Sequence, residues 1–349
     1  MTPFDAAGDR PSARGPEPFR APVLDASVLA LDCEREAARI ADGLRRALAA
    51  QLHRRGFVVA ISGGIDSSAC AALAVRALGP ARVLGLILPE RDSSDDSAER
   101  ARLLAGHLGI RTETVDIAPT LQAIGCYAAR DAAVANALPE YGPGWRFKIV
   151  IDGGVEGRVN TFRLVAEDPS GARHEAALAL PDYLQIVAAT NFKQRIRKTL
   201  EYFHADRLNY AVVGTPNRLE YDQGFFVKNG DGAADVKPIA HLYKSQVYAM
   251  ARHLGLPARV CAAVPTTDTY SLAQGQDEFY FALPWREMDL ALWSVDHGIG
   301  PEVLAAALGI GAARARAIQD DIHTKRRTTR YLHLPPVLVG AAPASADAH

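Results

Sequence analysis

Phe57-Val58-Val59-Ala60-Ile61-Ser62-Gly63-Gly64-Ile65-Asp66-Ser67-Ser68 decides the fold of this chain. The β-branched and apolar run at 57–62 reads as a buried strand. It stops abruptly at Ser-Gly-Gly-x-Asp-Ser, and a helical pattern follows at once over 67–78. Two adjacent glycines let the backbone approach a ligand with no Cβ in the way. The helix start beyond them offers unpaired N–H groups and the positive end of a dipole to an anion. Ser62, Ser67 and Ser68 add hydroxyl donors, and Asp66 can hold Mg²⁺ against phosphate oxygens. This is not a Walker loop, because Gly-x4-Gly-Lys-Ser/Thr is absent. A tight strand–helix turn without a ligand would explain a lone Gly-Gly. Six residues in this order after a strand argue against it.

Outward from this stretch the chain alternates. Asp32 to Arg54 reads as an amphipathic helix leading into the first strand. Strands at 82–88 and 112–117 enclose a helix at 97–108. This spacing predicts an α/β fold: a doubly wound, mainly parallel sheet with helices on both faces. The loop at 62–67 would lie at the carboxyl ends of the strands, where such sheets bind ligands. Between 126 and 181 the pattern breaks into short strands at 145–151, 158–166 and 174–180, separated by Gly-Gly and Asp-Pro-Ser-Gly turns. An antiparallel β insertion is the expectation there. A long helix at 183–205, a strand at 210–214 and a helix at 243–254 resume the alternation, and the chain from Glu278 reads as mostly helical. The Pro, Gly, Ala and Arg of residues 1–24 predict a disordered segment before one domain over 25–335, with a tail at 336–349.

Composition narrows the function. The 349 residues can bury a sizeable core, and 48% hydrophobic with 23% charged residues is ordinary for a soluble globular protein. Lys plus Arg number 39 and Asp plus Glu 40, so net charge is −1, which disfavours nucleic acid as a partner. Pro301 to Arg314 resembles a helix–turn–helix in outline, but with this charge a helical hairpin packed on the core is preferred. Cys33, Cys70, Cys126 and Cys261 are scattered, with no Cys-x-x-Cys pair, and read as reduced thiols of a cytoplasmic protein. No run of 18 apolar residues is present, so no membrane span is expected, and residues 1–22 do not read as a secretory signal.

Further motifs carry charge. Asn191-Phe-Lys193-Gln-Arg195-Ile-Arg197 lies on the long helix, and Lys193 and Arg197, four apart, share a face. They could form a solvated basic face or clamp an anion. Gly214-Thr215-Pro-Asn217-Arg-Leu-Glu220 is again strand, loop and helix. Glu220 would face the same sheet edge as Asp66 and complete a carboxylate pair for Mg²⁺, or merely complement the helix dipole. Gly224-Phe-Phe-Val-Lys228-Asn-Gly230-Asp231-Gly232-Ala-Ala-Asp235 is a glycine-punctuated loop. Lys244 opens a helix, where a cation is unfavourable unless an anion compensates it. Pro265-Thr266-Thr267-Asp268 offers two hydroxyls and an acid, and His323-Thr-Lys325-Arg326-Arg327 is a basic run.

The loop at 62–67 resembles that of the PP-loop ATP pyrophosphatases, of adenine-nucleotide alpha hydrolase-like fold. Taken in order, all these motifs resemble the NAD⁺ synthetase family over about residues 35–330, outside the insertion. The 224–232 block discriminates best. The resemblance implies ATP-dependent amidation of nicotinic acid adenine dinucleotide (deamido-NAD) through an acyl adenylate, with ammonia as nitrogen donor. It implies that Asp66 and Glu220 hold Mg²⁺, and that Ser62, Gly63, Gly64, Asp66 and Ser67 cradle ATP phosphates. Arg197, Thr215, Lys244 and Thr266 would also contact ATP, with Asp66, Arg197, Lys244 and Thr266 serving catalysis. Lys228, Asp231, Asp235 and Lys325 would hold deamido-NAD, in a homodimer.

Three departures are visible. Ile65 stands where many ammonia-dependent members have Gln, and Pro89 to Ser94 is closer to glutamine-dependent synthetases. The insertion is long enough to remodel the substrate mouth. Ammonia is expected free or from a separate glutaminase, since only about 55 residues precede the loop, whereas a fused hydrolase domain needs roughly 200–300. Alternatives are another PP-loop amide-forming ligase and a nucleotide-binding regulator without turnover.

Overall fold

The structure, a computed structural model, describes residues 24–152, 161–263, 270–272 and 283–340. Four strands form the parallel sheet: β1 (Phe57–Ala60), β2 (Val83–Ile87), β3 (Arg111–Thr114) and β7 (Ala211–Val213), in the order β3-β2-β1-β7. In β1, β2 and β7 buried side chains alternate between faces. Phe57, Val59, Val83, Ile87, Ala211 and Val213 enter one cluster with helices α1 (Cys33–Arg46), α2 (Ile65–Leu78), α3 (Asp95–Leu108) and α8 (Lys244–His253). Val58, Leu84, Leu86 and Val212 enter another with α4 (Ala118–Ala123), α5 (Cys126–Ala137) and α6 (Leu180–Leu208). Apolar residues at every position of these strands therefore mean burial on both faces, as the sequence predicted.

Other boundaries moved for local reasons. Asp32 caps α1 by accepting the Arg35 N–H, and the helix then widens into a π-type turn at Ala47–Leu52 that ends at left-handed His53. Ser94 caps α3, which begins two residues before the expected start. The expected 126–181 insertion narrows. Residues 126–137 are helix α5, whose Cys126, Tyr127, Ala133 and Val134 are buried, and α6 begins at Leu180. Between them β4 (Arg146–Asp152), β5 (Thr161–Glu167) and β6 (Arg173–Ala177) form an antiparallel meander around Phe147, Ile149, Leu164 and Ala166.

After α7 (Arg218–Gln223), α8 and the short α9 (Ala258–Cys261), helices α10 (Trp285–Asp296), α11 (Pro301–Leu308) and α12 (Ala312–Thr328) form a separate cluster. Leu304, Ala305, Ala315 and Ile318 bury the α11–α12 hairpin there, as the preferred reading of 301–314 required. Leu24 and Leu29 join the same cluster, so ordered packing begins at the edge of the segment read as disordered; residues 1–23 lie outside the described ones. A last turn, α13 (Arg330–His333), precedes an exposed coil. The four cysteines are unpaired. No described helix is long and apolar enough to cross a membrane.

Candidate active site

β1, β2 and β3 run to one side, and the chain then returns to place β7 on the other side of β1. The crevice beyond the carboxyl ends of β1 and β7 is thus a topological switch point, where open α/β sheets bind ligands. Both loops singled out in the sequence end there.

In the first loop Gly63 adopts φ +77°, and a Cβ on it would meet the Ser97 carbonyl oxygen at 2.3 Å. Only glycine fits. Arg100 braces the same residue, its Nε donating to the Gly63 carbonyl at 3.1 Å. Ser67 Oγ accepts from the Ser62 N–H and donates to the Gly64 carbonyl, 3.3 and 3.1 Å, while Ser62 Oγ accepts from the Gly64 N–H at 3.3 Å. Gly64 begins α2 with no side-chain cap, which leaves the first-turn N–H groups directed out of the loop.

The second loop brings Asp66 its partners. Asn217 and Glu220 form a capping box: Asn217 Oδ1 accepts the Glu220 N–H and Glu220 Oε2 accepts the Asn217 N–H, both at 3.1 Å. The free Asn217 amide donates to Asp66 Oδ1 at 3.0 Å. An Asn three residues before a Glu at a strand exit already signals this box, so Asn217 was readable as a site residue. Lys244 pairs with Asp66 Oδ2 from a side chain only 2% exposed. Burial opposes its charge, but Asp66 and then Glu220 outweigh that and push the ammonium pKa above the ordinary lysine range. The anion that permits a lysine at this helix start is therefore Asp66. Asp289 accepts the first-turn N–H groups of Lys244 and Ser245, at 3.2 and 2.7 Å.

The remaining residues named from the sequence are engaged as follows. Arg197 Nε donates to the Leu88 carbonyl at 3.1 Å, tying α6 to the strand end beside β1. Thr215 directly follows β7 and Gly214. Asp231 Oδ1 accepts the Val227 N–H at 2.8 Å and Asp235 Oδ2 the Val212 N–H at 2.7 Å, so both shape the 224–235 loop. Lys228 Nζ donates to the carbonyls of Tyr331 and Leu334, 2.8 and 3.1 Å. Lys325 pairs with Asp321 at 2.7 Å. Thr266 lies outside the described residues.

Lys193 does not share an open basic face with Arg197. It is 1% exposed and bonded to Glu90 at 3.0 Å and Asp92 at 2.6 Å, with Arg130 on Asp92 and the Tyr127 hydroxyl on Glu90 at 2.7 Å. This network fixes the loop after β2 between α5 and α6. Beside it a cleft of about 1130 Å³ opens between that loop and the meander, lined by Arg91, Arg100, Tyr141, Trp145 and Arg146. Arg100 connects the cleft to Gly63.

Among the described residues no group of three or more His, Cys, Asp or Glu side chains gathers to hold a metal. The Asp66 and Glu220 carboxylates, linked through Asn217, are hard oxygen donors. They suit Mg²⁺, which takes few protein ligands and keeps its waters and substrate phosphates.

Comparison with known proteins agrees with this architecture. A profile described as NAD synthase matches residues 36–138 and 170–330, leaving out the first two strands of the meander, β4 and β5. The NH(3)-dependent NAD(+) synthetase of Rhizobium meliloti is 54% identical over 318 residues, 91% of this chain and 95% of that protein. That of Mesorhizobium japonicum is 52% identical over 312 residues, 89% and 98% of the two chains. Among solved structures, NMN synthetase from Francisella tularensis superposes with TM-score 0.60 at 20% identity, covering 88% of this chain and 99% of that one. NH3-dependent NAD synthetase from Campylobacter jejuni superposes with TM-score 0.57 at 21% identity, covering 89% and 100%. With the matched profile spanning both strand-end loops and all of α6, this chain belongs to the NAD synthase family.

Proposed function

We propose that this protein amidates deamido-NAD to NAD with ATP and ammonia, releasing AMP and pyrophosphate. The convergence of the uncapped α2 start, Asp66, Asn217 and Lys244 at the switch point carries this reading. High identity to relatives named NH(3)-dependent NAD(+) synthetase supports the nitrogen donor. A carboxylate is a poor electrophile; attack of its oxygen on the α-phosphorus, with loss of pyrophosphate, turns it into an acyl adenylate that ammonia opens with loss of AMP. The first-turn N–H groups of α2, with Ser62 and Ser67, receive pyrophosphate as its charge grows. Lys244, held charged by Asp66, supplies a fixed cation, and Arg197 and Thr215 approach the nucleotide from α6 and β7. Thr266 completes this set by family position. Mg²⁺, when bound by Asp66 and Glu220, neutralises phosphate charge at the leaving group.

Lys228, Asp231, Asp235 and Lys325 would serve the deamido dinucleotide, two of them by shaping the loop rather than by open contact. A homodimer is supported by α6, which exposes Leu180, Leu184, Phe192 and Phe203 along one side (66, 53, 36 and 58% accessible). Pyrophosphate release tests the assignment: deamido-NAD with ammonium should support it, and nicotinic acid mononucleotide or xanthylate far less. Glutamine matching ammonium in the purified protein would refute the donor. Asn217→Ala should cost about 1 kcal/mol of stability as a lost cap. It should lower kcat more than it raises KM, since Asp66 loses its orienting amide. Melting and steady-state kinetics on one preparation separate the two effects.

A further inference from the structure

Among the described residues Lys237 stands out as a part-buried charge with no ion-pair partner. The buried lysines near the site are paired, Lys244 with Asp66, Lys193 with Glu90 and Asp92, Lys198 with Glu201 at 2.7 Å, and the part-buried Lys228 donates to two carbonyls. Lys237 follows Val236, which bridges to Val213 at the end of β7, so its stem lies across the strand exit. A Cβ on Gly214 would sit 3.1 Å from Lys237 Cγ and 2.7 Å from Ala234 Cβ, so the glycine makes room for this side chain. The ammonium rests over two aromatic faces, 4.6 Å from the Tyr221 ring centre and 5.4 Å from that of Phe226. His333 packs edge-on to both rings, at 4.8 and 5.1 Å. Among the described residues nothing gives it a hydrogen bond or an ion pair.

A part-buried ammonium without an anion is costly, and ring faces offset only part of that cost. Burial first, and then the neighbouring Lys198, hold its pKa below the ordinary lysine range, against Asp231. An anion from a ligand would complete it. The position selects which ligand: β7 is the edge strand, and Lys237 lies on its flank with the 224–235 loop and the C-terminal turn, whereas the phosphate loop follows β1. We propose that Lys237 is a specificity-determining residue that receives an anionic oxygen group, carboxylate or phosphate, of the acid substrate rather than of ATP.

This rests on the carboxylate-amidating function proposed above. Lys237→Met keeps a stem to cover the two rings and removes only the charge; Lys237→Arg keeps the charge. In full-length protein, Lys237→Met should raise KM for deamido-NAD by about 10-fold or more, the loss of one charge-assisted contact. KM for ATP should stay within about twofold, and Lys237→Arg should recover most of the loss. Nicotinate and inorganic phosphate, tried as inhibitors competing with deamido-NAD, distinguish the group: the one that loses potency in Lys237→Met is the one Lys237 binds. Equal rises in both KM values, a rise for ATP alone, or no change would overturn the proposal. A wild-type protein that releases no pyrophosphate with deamido-NAD would instead overturn the function itself.

Discussion

Asp66→Asn should abolish AMP and pyrophosphate formation, lowering kcat by about 10³-fold, the scale on which one charge-stabilising group contributes in such sites. The same substitution should also destabilise the fold. Asp66 is the ion-pair partner of Lys244, whose side chain is 2% exposed, and its other oxygen accepts the Asn217 amide. Asparagine keeps the shape and an acceptor but leaves the ammonium facing mainly Glu220. Breaking one side of a buried pair costs about 3–5 kcal/mol, because a charge is stranded rather than because the pair was worth that much. The two effects separate in Asp66→Asn/Lys244→Met. With both charges gone the melting temperature should return toward wild type, while turnover stays absent. Wild-type pyrophosphate release by Asp66→Asn would remove Asp66 from the chemistry. An inactive Asp66→Asn with an unchanged melting temperature would mean that Lys244 finds its charge compensation elsewhere.

The parts of this site readable from sequence are those set by local backbone physics. A β-branched run, a Gly-Gly turn and an immediate helix locate the phosphate loop; Asn217 and Glu220 at capping-box spacing locate the second strand exit. What escaped are pairings between distant segments. The i,i+4 spacing put Lys193 and Arg197 on one helix face, yet Lys193 is neutralised by Glu90 and Asp92, about a hundred positions earlier. Lys244 was read as needing a compensating anion, and which anion stayed open because its partner Asp66 is just as remote in sequence. Lys228, expected from the resemblance to hold deamido-NAD, also donates to carbonyls of the C-terminal turn, and backbone carbonyls leave no residue pattern to follow. The boundary at Cys126 failed differently. Residues 126–137 are Ala-rich, and their apolar side chains pack on α6 without the contrast that marks an amphipathic helix.

Lys193→Met should lower stability by about 3–5 kcal/mol, a large share of the 5–15 kcal/mol typical of a folded protein. On the usual scale for a large chain, that is a melting-temperature drop of roughly 10 °C. The lysine lies between two carboxylates whose side chains are 0 and 5% exposed, and its removal leaves Asp92 with Arg130 and a looser contact to Arg91 at 3.6 Å. Its pH dependence identifies the cause. Burial pushes the Asp92 carboxyl up, but Lys193 and Arg130 more than offset this and hold it below the usual carboxylate range. A depressed carboxyl contributes stability above its unfolded pKa, near 4, and loses it as pH falls through the lower folded value. Without Lys193 the folded pKa rises, so part of that contribution is missing at neutral pH. The deficit should therefore be smaller at about pH 3, inside that window, than at pH 7.5. A cavity left by the shortened side chain would cost the same at both. Activity should fall as well, since this network fixes the loop after β2, where Arg197 holds the Leu88 carbonyl. A variant with the same stability deficit at both pH values would show that Lys193 holds the loop by packing, with its charge immaterial.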